Sequence, residues 1–231
     1  MEAGPVSAAY ETYLHMLIDV HLMVEPVRYL EIGVNEGHSL ACAGTGTRLL
    51  GVDPTPRVDS LEHPDWSVVE ATSEHFFSEC DVVDLLGGPV DLAFVDGMHH
   101  FEVALADVLS IEAFAHPGTV VLVHDALPID KPTSERERGS IVWSGDVWKT
   151  VVLLRRYRPD LTVTTLDVSP TGMAVITGFG GSVDADWVQP AVADMMDADY
   201  GDLVAMGIEG SLGVRPGTPE VLASLLTDCT P

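Results

Sequence analysis

Along the chain, apolar residues switch several times between helical spacing and short unbroken runs. Residues 7–24, SAAYETYLHMLIDVHLMV, hold helical spacing until Pro26, which predicts a helix. VRYLEIG (27–33) reads as a strand, followed by a glycine turn and a helix to about residue 47. RLLGVDP (48–54) and WSVVEA (66–71) read as the next strands, and SEHFFSECDVVDLL (73–86) as a helix. VDLAFVDG (90–97) is a fourth strand, FEVALADVLSIEAFA (101–115) an amphipathic helix ending at His116-Pro117-Gly118, and TVVLVHDA (119–126) a fifth strand. Residues 128–146 form a long polar loop, the length of which suits a lid. A helix over 147–157 and an antiparallel pair, LTVTTLDV and GMAVITGF, at the sheet edge complete the central part. Beyond residue 182 the chain is acidic and helical in pieces, with Thr218 and Pro219 opening the last helix.

Strands apolar on both faces and separated by helices indicate an α/β domain with a parallel sheet. Ligands of such sheets bind at the carboxyl ends of the strands. The polar residues that break the pattern sit there: Glu31 and Gly33, Asp53, Asp96, then His124 and Asp125. The three segments expected are a helical N-terminus (1–26), a cofactor-binding catalytic domain with its lid at 128–146 (27–181), and an acidic helical extension (182–231).

YLEIGVNEGHSL (29–40) places Gly33 and Gly37 between strand and helix, where glycine permits a tight turn and close approach. An ordinary strand–helix turn would use the same glycines. The three-glycine dinucleotide fingerprint is absent, which argues against a nicotinamide-dependent dehydrogenase. An acid at Glu31 would repel pyrophosphate and suits an ammonium group. Asp53, 22 residues further on, stands where a carboxylate accepts ribose hydroxyls. A ribose, an amino-acid ammonium and no phosphate together describe S-adenosylmethionine.

Asp96 and Asp125 end strands expected to be neighbours, and two adjacent carboxylates repel unless a cation or proton lies between them. Mg²⁺ or Mn²⁺ suits oxygen ligands of this kind. His124 is either a nitrogen ligand or a hydrogen-bonding neighbour of Asp125. His99, three residues after Asp96, stands where a polar residue can open a helix, while His100 is offset by one position.

The chain resembles the class I S-adenosylmethionine-dependent methyltransferases over roughly residues 25–180, through E-I-G-x-x-x-G-x-S (Glu31, Gly33, Gly37, Ser39) and D-G-x-H (Asp96 to His99). It is most similar to the metal-dependent small-molecule O-methyltransferases with a D-G-x-H motif, several of which methylate sugar hydroxyls of natural products or glycans. The resemblance implies a Rossmann-like fold with a seven-stranded, mostly parallel sheet, helices on both faces and an antiparallel edge strand. It implies that Glu31, Gly33 and Gly37 hold the methionine part and that Ser39, at the helix start, contacts its carboxylate. Asp53 takes the ribose, Ser73 meets adenine, and Asp96 borders the cofactor. Asp96, Asp125 and His124 bind the metal, and His99 accepts the proton in place of the catechol type's lysine.

Charge narrows the partners. A net charge of −25 disfavours nucleic-acid backbones and anionic membranes. Residues 131–158 hold seven basic residues against three acids, a local +4 that leaves −29 elsewhere. This reads either as a solvated helix or as a basic flap over the mouth of the site, with Trp143 and Trp148 as core or as stacking surface. The N-terminus lacks the pattern of a signal peptide, no apolar run reaches the about 20 residues of a membrane span, and Cys42, Cys80 and Cys229 show no ligand spacing. A cytoplasmic enzyme acting on a small hydroxylated molecule is expected, with surfaces for a homo-oligomer in the N-terminal helix and acidic tail. Metal-independent or N-directed transfer and a non-catalytic methyltransferase-like partner subunit are the alternatives.

Overall fold

The computed structural model describes residues 8–181 and 185–227, so Ser7 at the predicted start of the first helix, and Cys229, lie outside the described residues. Helix α1 spans Tyr13–Val24; Thr12 caps its start and left-handed Glu25 ends it before Pro26. Strands β1 (Arg28–Ile32), β2 (Arg48–Asp53) and β3 (Trp66–Glu70) precede α2 (Ser73–Glu79) and α3 (Val82–Leu86). Then come β4 (Val90–Val95), α4 (Phe101–Glu112), β5 (Ala115–His124), α5 (Trp148–Tyr157), β6 (Thr162–Asp167) and β7 (Met173–Thr177). The C-terminal segment contributes α6 (Val188–Met195), α7 (Tyr200–Met206), α8 (Ile208–Leu212), β8 (Val214–Pro216) and α9 (Pro219–Leu226). Among the described residues, no helix is long and apolar enough to cross a membrane.

The strands form one mixed sheet of eight rather than seven, in the order β3-β2-β1-β4-β5-β7-β6-β8. The pairs from β3 through β5 are parallel. The antiparallel strand is not at the edge: β7 runs between β5 and β6, antiparallel to both. The edge is β8, paired parallel to β6 through Thr165 and Val214. This short strand lies in the acidic tail, where three residues, Val-Arg-Pro, are too few for an alternation to register.

Alternating side chains on the central strands build two cores, one on each face of the sheet. Leu30, Ile32, Val121 and Val123 belong to one, and Tyr29, Leu92, Phe94 and Leu122 to the other. Both flanking segments join these cores. Met16, Leu17 and Val20 of α1 share a core with Leu222 and Leu226 of α9, while Ala191, Leu203 and Leu212 enter the opposite one.

The first helix starts at Tyr13 rather than residue 7 and α4 ends at Glu112, with β5 beginning at Ala115, and two further helices differ from the sequence expectation in kind. After β1 the predicted helix shrinks to a single 3₁₀ turn, Leu40–Cys42, because Gly44 and Gly46, with Thr45 and Thr47, disfavour its continuation. Residues 73–86 split at Cys80, where the Asp81 side chain accepts the Asp84 amide and starts a new helix. At the end of the sheet away from the site, Asp91 of β4 accepts the amides of Val27 and Arg28 and pairs with the Arg28 guanidinium at 2.8 Å. That clamp fixes the register of β1 against β4.

Leu222 is fully buried between α9 and α1. Leu222→Ala is expected to cost about 2–5 kcal/mol in urea unfolding; an unchanged midpoint would show that α9 does not hold α1.

Candidate active site

The strand order turns back at β1 and β4, and the crevice beyond the carboxyl ends at such a point is where open α/β sheets bind ligands. A cleft of about 1230 Å³ opens there, and Gly33, Ser39, Asp53, Ser73, Asp96, His99, His124 and Asp125 all line it. Sites for single drug-sized ligands are about 300–1,000 Å³, so this cleft is larger than most of them.

The turn after β1 depends on unusual backbone. Gly33 has φ +90°, and a Cβ there would lie 2.1 Å from the Asp96 carbonyl oxygen. Glycine is required because the ends of β1 and β4 touch. Asn35 is left-handed at φ 47°, a conformation asparagine tolerates. Its amide donates to Asp53 Oδ2 at 2.8 Å, while the Thr55 amide donates to Oδ1 at 2.7 Å. Asp53 thus ties the glycine turn to the end of β2 and still faces the cleft.

Glu31 and Ser39 are placed differently from expectation. Glu31 is fully buried beneath the turn, outside the cleft lining. Its oxygens accept from Tyr29 Oη and from Ser39 Oγ, both at 2.7 Å. Ser39 opens no α-helix and makes no capping bond; its hydroxyl is spent on Glu31. Burial pushes Glu31 up to about 8 against the two hydrogen bonds that favour its charged form. Ser73, at the opposite end of the cleft, engages the buried carboxyl of Asp107, which burial raises to about 6.

Asp96, His124 and Asp125 converge at the tips of β4 and β5, each with a ligand atom within 4.8 Å of the others. His124 Nδ1 is 3.2 Å from Asp96 Oδ1 and 3.5 Å from Asp125 Oδ2. Its Nε2 is buried with no hydrogen-bond partner among the described residues. Burial alone would lower its pKa, but the two carboxylates outweigh it and raise it to about 10. Asp125 has φ 61°, rare for a non-glycine residue, and its Oδ1 accepts from the Thr171 hydroxyl at 2.5 Å. Despite burial, the two histidines hold its carboxyl well below the usual range.

His99 Nδ1 lies 3.0 Å from Asp125 Oδ2 and 2.9 Å from the Trp143 carbonyl oxygen. Both neighbours are acceptors, so Nδ1 carries the hydrogen and Nε2 keeps its lone pair, 3.7 Å from Asp96 Oδ1. Burial works against charging this ring, yet the hydrogen bond and charge of Asp125 raise its pKa overall. His100 turns away from the cleft, its Nε2 3.2 Å from the Arg136 carbonyl oxygen.

The 128–146 segment lies against this centre. Trp143 stacks on His99 with centroids 4.8 Å apart and planes at 10°, whereas Trp148 is buried core. Arg136 pairs with Glu102 at 2.6 Å and Asp146 at 2.7 Å, and Asp146 accepts the Phe101 amide that opens α4. Four of the seven basic residues of 131–158, Lys131, Arg136, Lys149 and Arg158, are paired with acids. Arg138 lines the cleft with its guanidinium on the Ile141 carbonyl oxygen.

Tyr13, Asp146 and Thr171 had no signal as site residues. The acid before an apolar helix at Asp146 resembles a cap, but it caps α4, 45 residues earlier. Tyr13 sits within an ordinary amphipathic pattern, yet its ring lies 4.2 Å from that of His124.

The state of Glu31 is testable without any ligand. Its folded pKa of about 8 lies above the ordinary 4.5, so ionisation destabilises the fold and the wild type loses stability as pH rises through that window. Glu31→Gln is expected to gain on the wild type between pH 5 and 8 in urea melts. A difference independent of pH would contradict a buried, raised carboxyl.

Residues 30–126 match a family model described as a methyltransferase domain. No curated protein matches. Among solved structures, cofactor-bound Rv0187 from MTB aligns with TM-score 0.58 at 19% identity, over 78% of this chain and 85% of that one. The SAH-bound methyltransferase PaMTH1 of Podospora anserina aligns with TM-score 0.57 at 17% identity, covering 72% and 77%. The O-methyltransferase TomG from Streptomyces achromogenes, involved in tomaymycin synthesis and in complex with SAM, aligns with TM-score 0.54 at 18% identity, covering 73% and 80%. With its sheet turning back at β1 and β4 and its glycine turn beside the cleft, the chain has the Rossmann-like fold of these structures, and residues 30–126 within it are similar to a methyltransferase domain.

Proposed function

We propose that the protein is an S-adenosylmethionine-dependent O-methyltransferase acting on a hydroxyl of a small molecule, with a sugar of a natural product or glycan as the favoured acceptor. The observation that carries this reading is the pairing of His99 Nδ1 with Asp125 and the Trp143 carbonyl, which leaves Nε2 as an unspent acceptor beside Asp96 in the cleft. A neutral alcohol is a poor nucleophile, and a base fixed in one tautomer removes its proton as the new bond forms.

S-adenosylmethionine, when bound, supplies the electrophilic methyl group. The glycine turn would hold its methionine part, Asp53 its ribose and the Ser73 end its adenine. His99 takes the acceptor's proton on Nε2 while Asp125 steadies the ring and stabilises its charged form. Trp143 keeps one face of His99 covered, so the ring meets the acceptor through its edge. Positioning of acceptor and donor in one cleft supplies much of the remaining rate.

Asp96, Asp125 and His124 form a donor set that suits Mg²⁺ or Mn²⁺, with two carboxylates and an imidazole nitrogen at one point. A divalent ion there would lower the pKa of the acceptor hydroxyl. A second reading dispenses with the metal. His124 as imidazolium faces both carboxylates through Nδ1 and already supplies a positive charge between them.

Calorimetry with S-adenosylmethionine and NAD tests the cofactor: binding of the first alone is expected, and failure to bind it ends the reading. Methylation of a panel of glycosides, phenols and amines, with and without EDTA, identifies the acceptor and separates the metal-bound from the metal-free form. His99→Ala is expected to lower kcat by about 10²–10⁴-fold and to leave cofactor binding intact. Neutral His99 is the active form and its pKa is raised, so kcat/KM should climb with pH through a limb above about 6.5. Persistence of that limb in His99→Ala would assign it to another group.

A further inference from the structure

We infer that Tyr13 is a cofactor-contacting residue, its phenol hydroxyl donating to the amino-acid carboxylate of the methyl donor in the role the sequence suggested for Ser39. This assignment rests on the cofactor reading above and adds a residue from outside the region that matches the methyltransferase model, which begins at residue 30.

Ser39 is engaged as placed, its hydroxyl bonded to the buried Glu31 at 2.7 Å. The amides of the glycine turn are largely spent as well. Gly33 N–H donates to the Val52 carbonyl, Asn35 N–H to Asp53 and Gly37 N–H to the Val34 carbonyl. Carboxylates are plentiful around this part of the site, so an ammonium finds acceptors readily while a ligand carboxylate lacks donors.

Tyr13 lines the same cleft as Gly33, Ser39 and Asp96. Its amide is anchored on the Ser169 carbonyl at 3.0 Å, and its ring lies 4.2 Å from His124 and 6.2 Å from Phe94. That ring contact sets Tyr13 beside the carboxylates of Asp96 and Asp125, which flank His124 at 3.2 and 3.5 Å. It donates to none of them and has no hydrogen-bond partner among the described residues. A half-buried phenol without a partner, facing the cleft, has its donor left for a ligand oxygen. The helix that carries it is locked by α9, and the Tyr10 amide is bonded to the Gly217 carbonyl at 2.8 Å. The C-terminal extension thereby sets the position of a residue in the cleft.

Calorimetry on wild type and Tyr13→Phe, with S-adenosylhomocysteine and with methylthioadenosine, tests this assignment. The second ligand lacks the amino-acid portion. Tyr13→Phe keeps the ring and is expected to weaken S-adenosylhomocysteine binding about 10- to 100-fold, with methylthioadenosine binding and the thermal midpoint unchanged. Equal affinity of both proteins for S-adenosylhomocysteine, or equal loss for both ligands, overturns the role of the hydroxyl and leaves the cofactor reading standing. If wild type binds neither ligand, the cofactor reading fails and this inference fails with it.

Discussion

The site depends on one buried carboxylate, that of Asp125. Three separate stretches of chain meet on it: the β4–α4 loop through His99, the end of β5 through His124, and the turn before β7 through Thr171. A buried carboxylate is costly unless its oxygens are satisfied, so these partners are required as much as they are allowed. Its left-handed backbone shows that the fold accepts local strain to aim it. Removing it would leave His99 Nδ1 with the Trp143 carbonyl alone and His124 paired with Asp96 alone.

Around this carboxylate the fold acts as a set of clamps. Asp91 fixes β1 against β4 at the far end of the sheet, and the Gly33 contact with Asp96 closes the near end. Asp53 ties the glycine turn to β2, and Asp146 with Arg136 ties the long segment after β5 to the start of α4. Apart from the Gly33 contact, each clamp is an acid accepting backbone amides or a guanidinium. Part of the large negative charge of this chain is therefore structural, placed where loops would otherwise be free.

The strand ends were legible because periodicity and punctuation agree there: apolar runs stop at Asp53, Asp96 and His124-Asp125, and parallel topology gathers those stops on one rim. The grouping of Asp96, His124 and Asp125 followed from that, whereas His99 entered through its place in the D-G-x-H motif. What failed had no local signal. Ser39 reads as a helix-opening serine, but two glycines downstream prevent the helix and a buried glutamate takes its hydroxyl. Glu31 reads as a ligand-facing acid because a sequence does not show that Tyr29, two residues before it on the same face of β1, would engage it. β8 was too short to be seen. Tyr13 and Thr171 reach the site through tertiary packing, which no window of neighbouring residues reports.

The central claim is that Asp125 fixes His99 in the tautomer of a general base, and the protonation pattern of that ring tests it most directly. Nitrogen-15 NMR of labelled histidine, assigned with His99→Gln at a pH where the ring is neutral, should show the hydrogen on Nδ1 and a bare Nε2. A hydrogen on Nε2 would contradict the account, because the nitrogen that faces the cleft would then have no lone pair to offer.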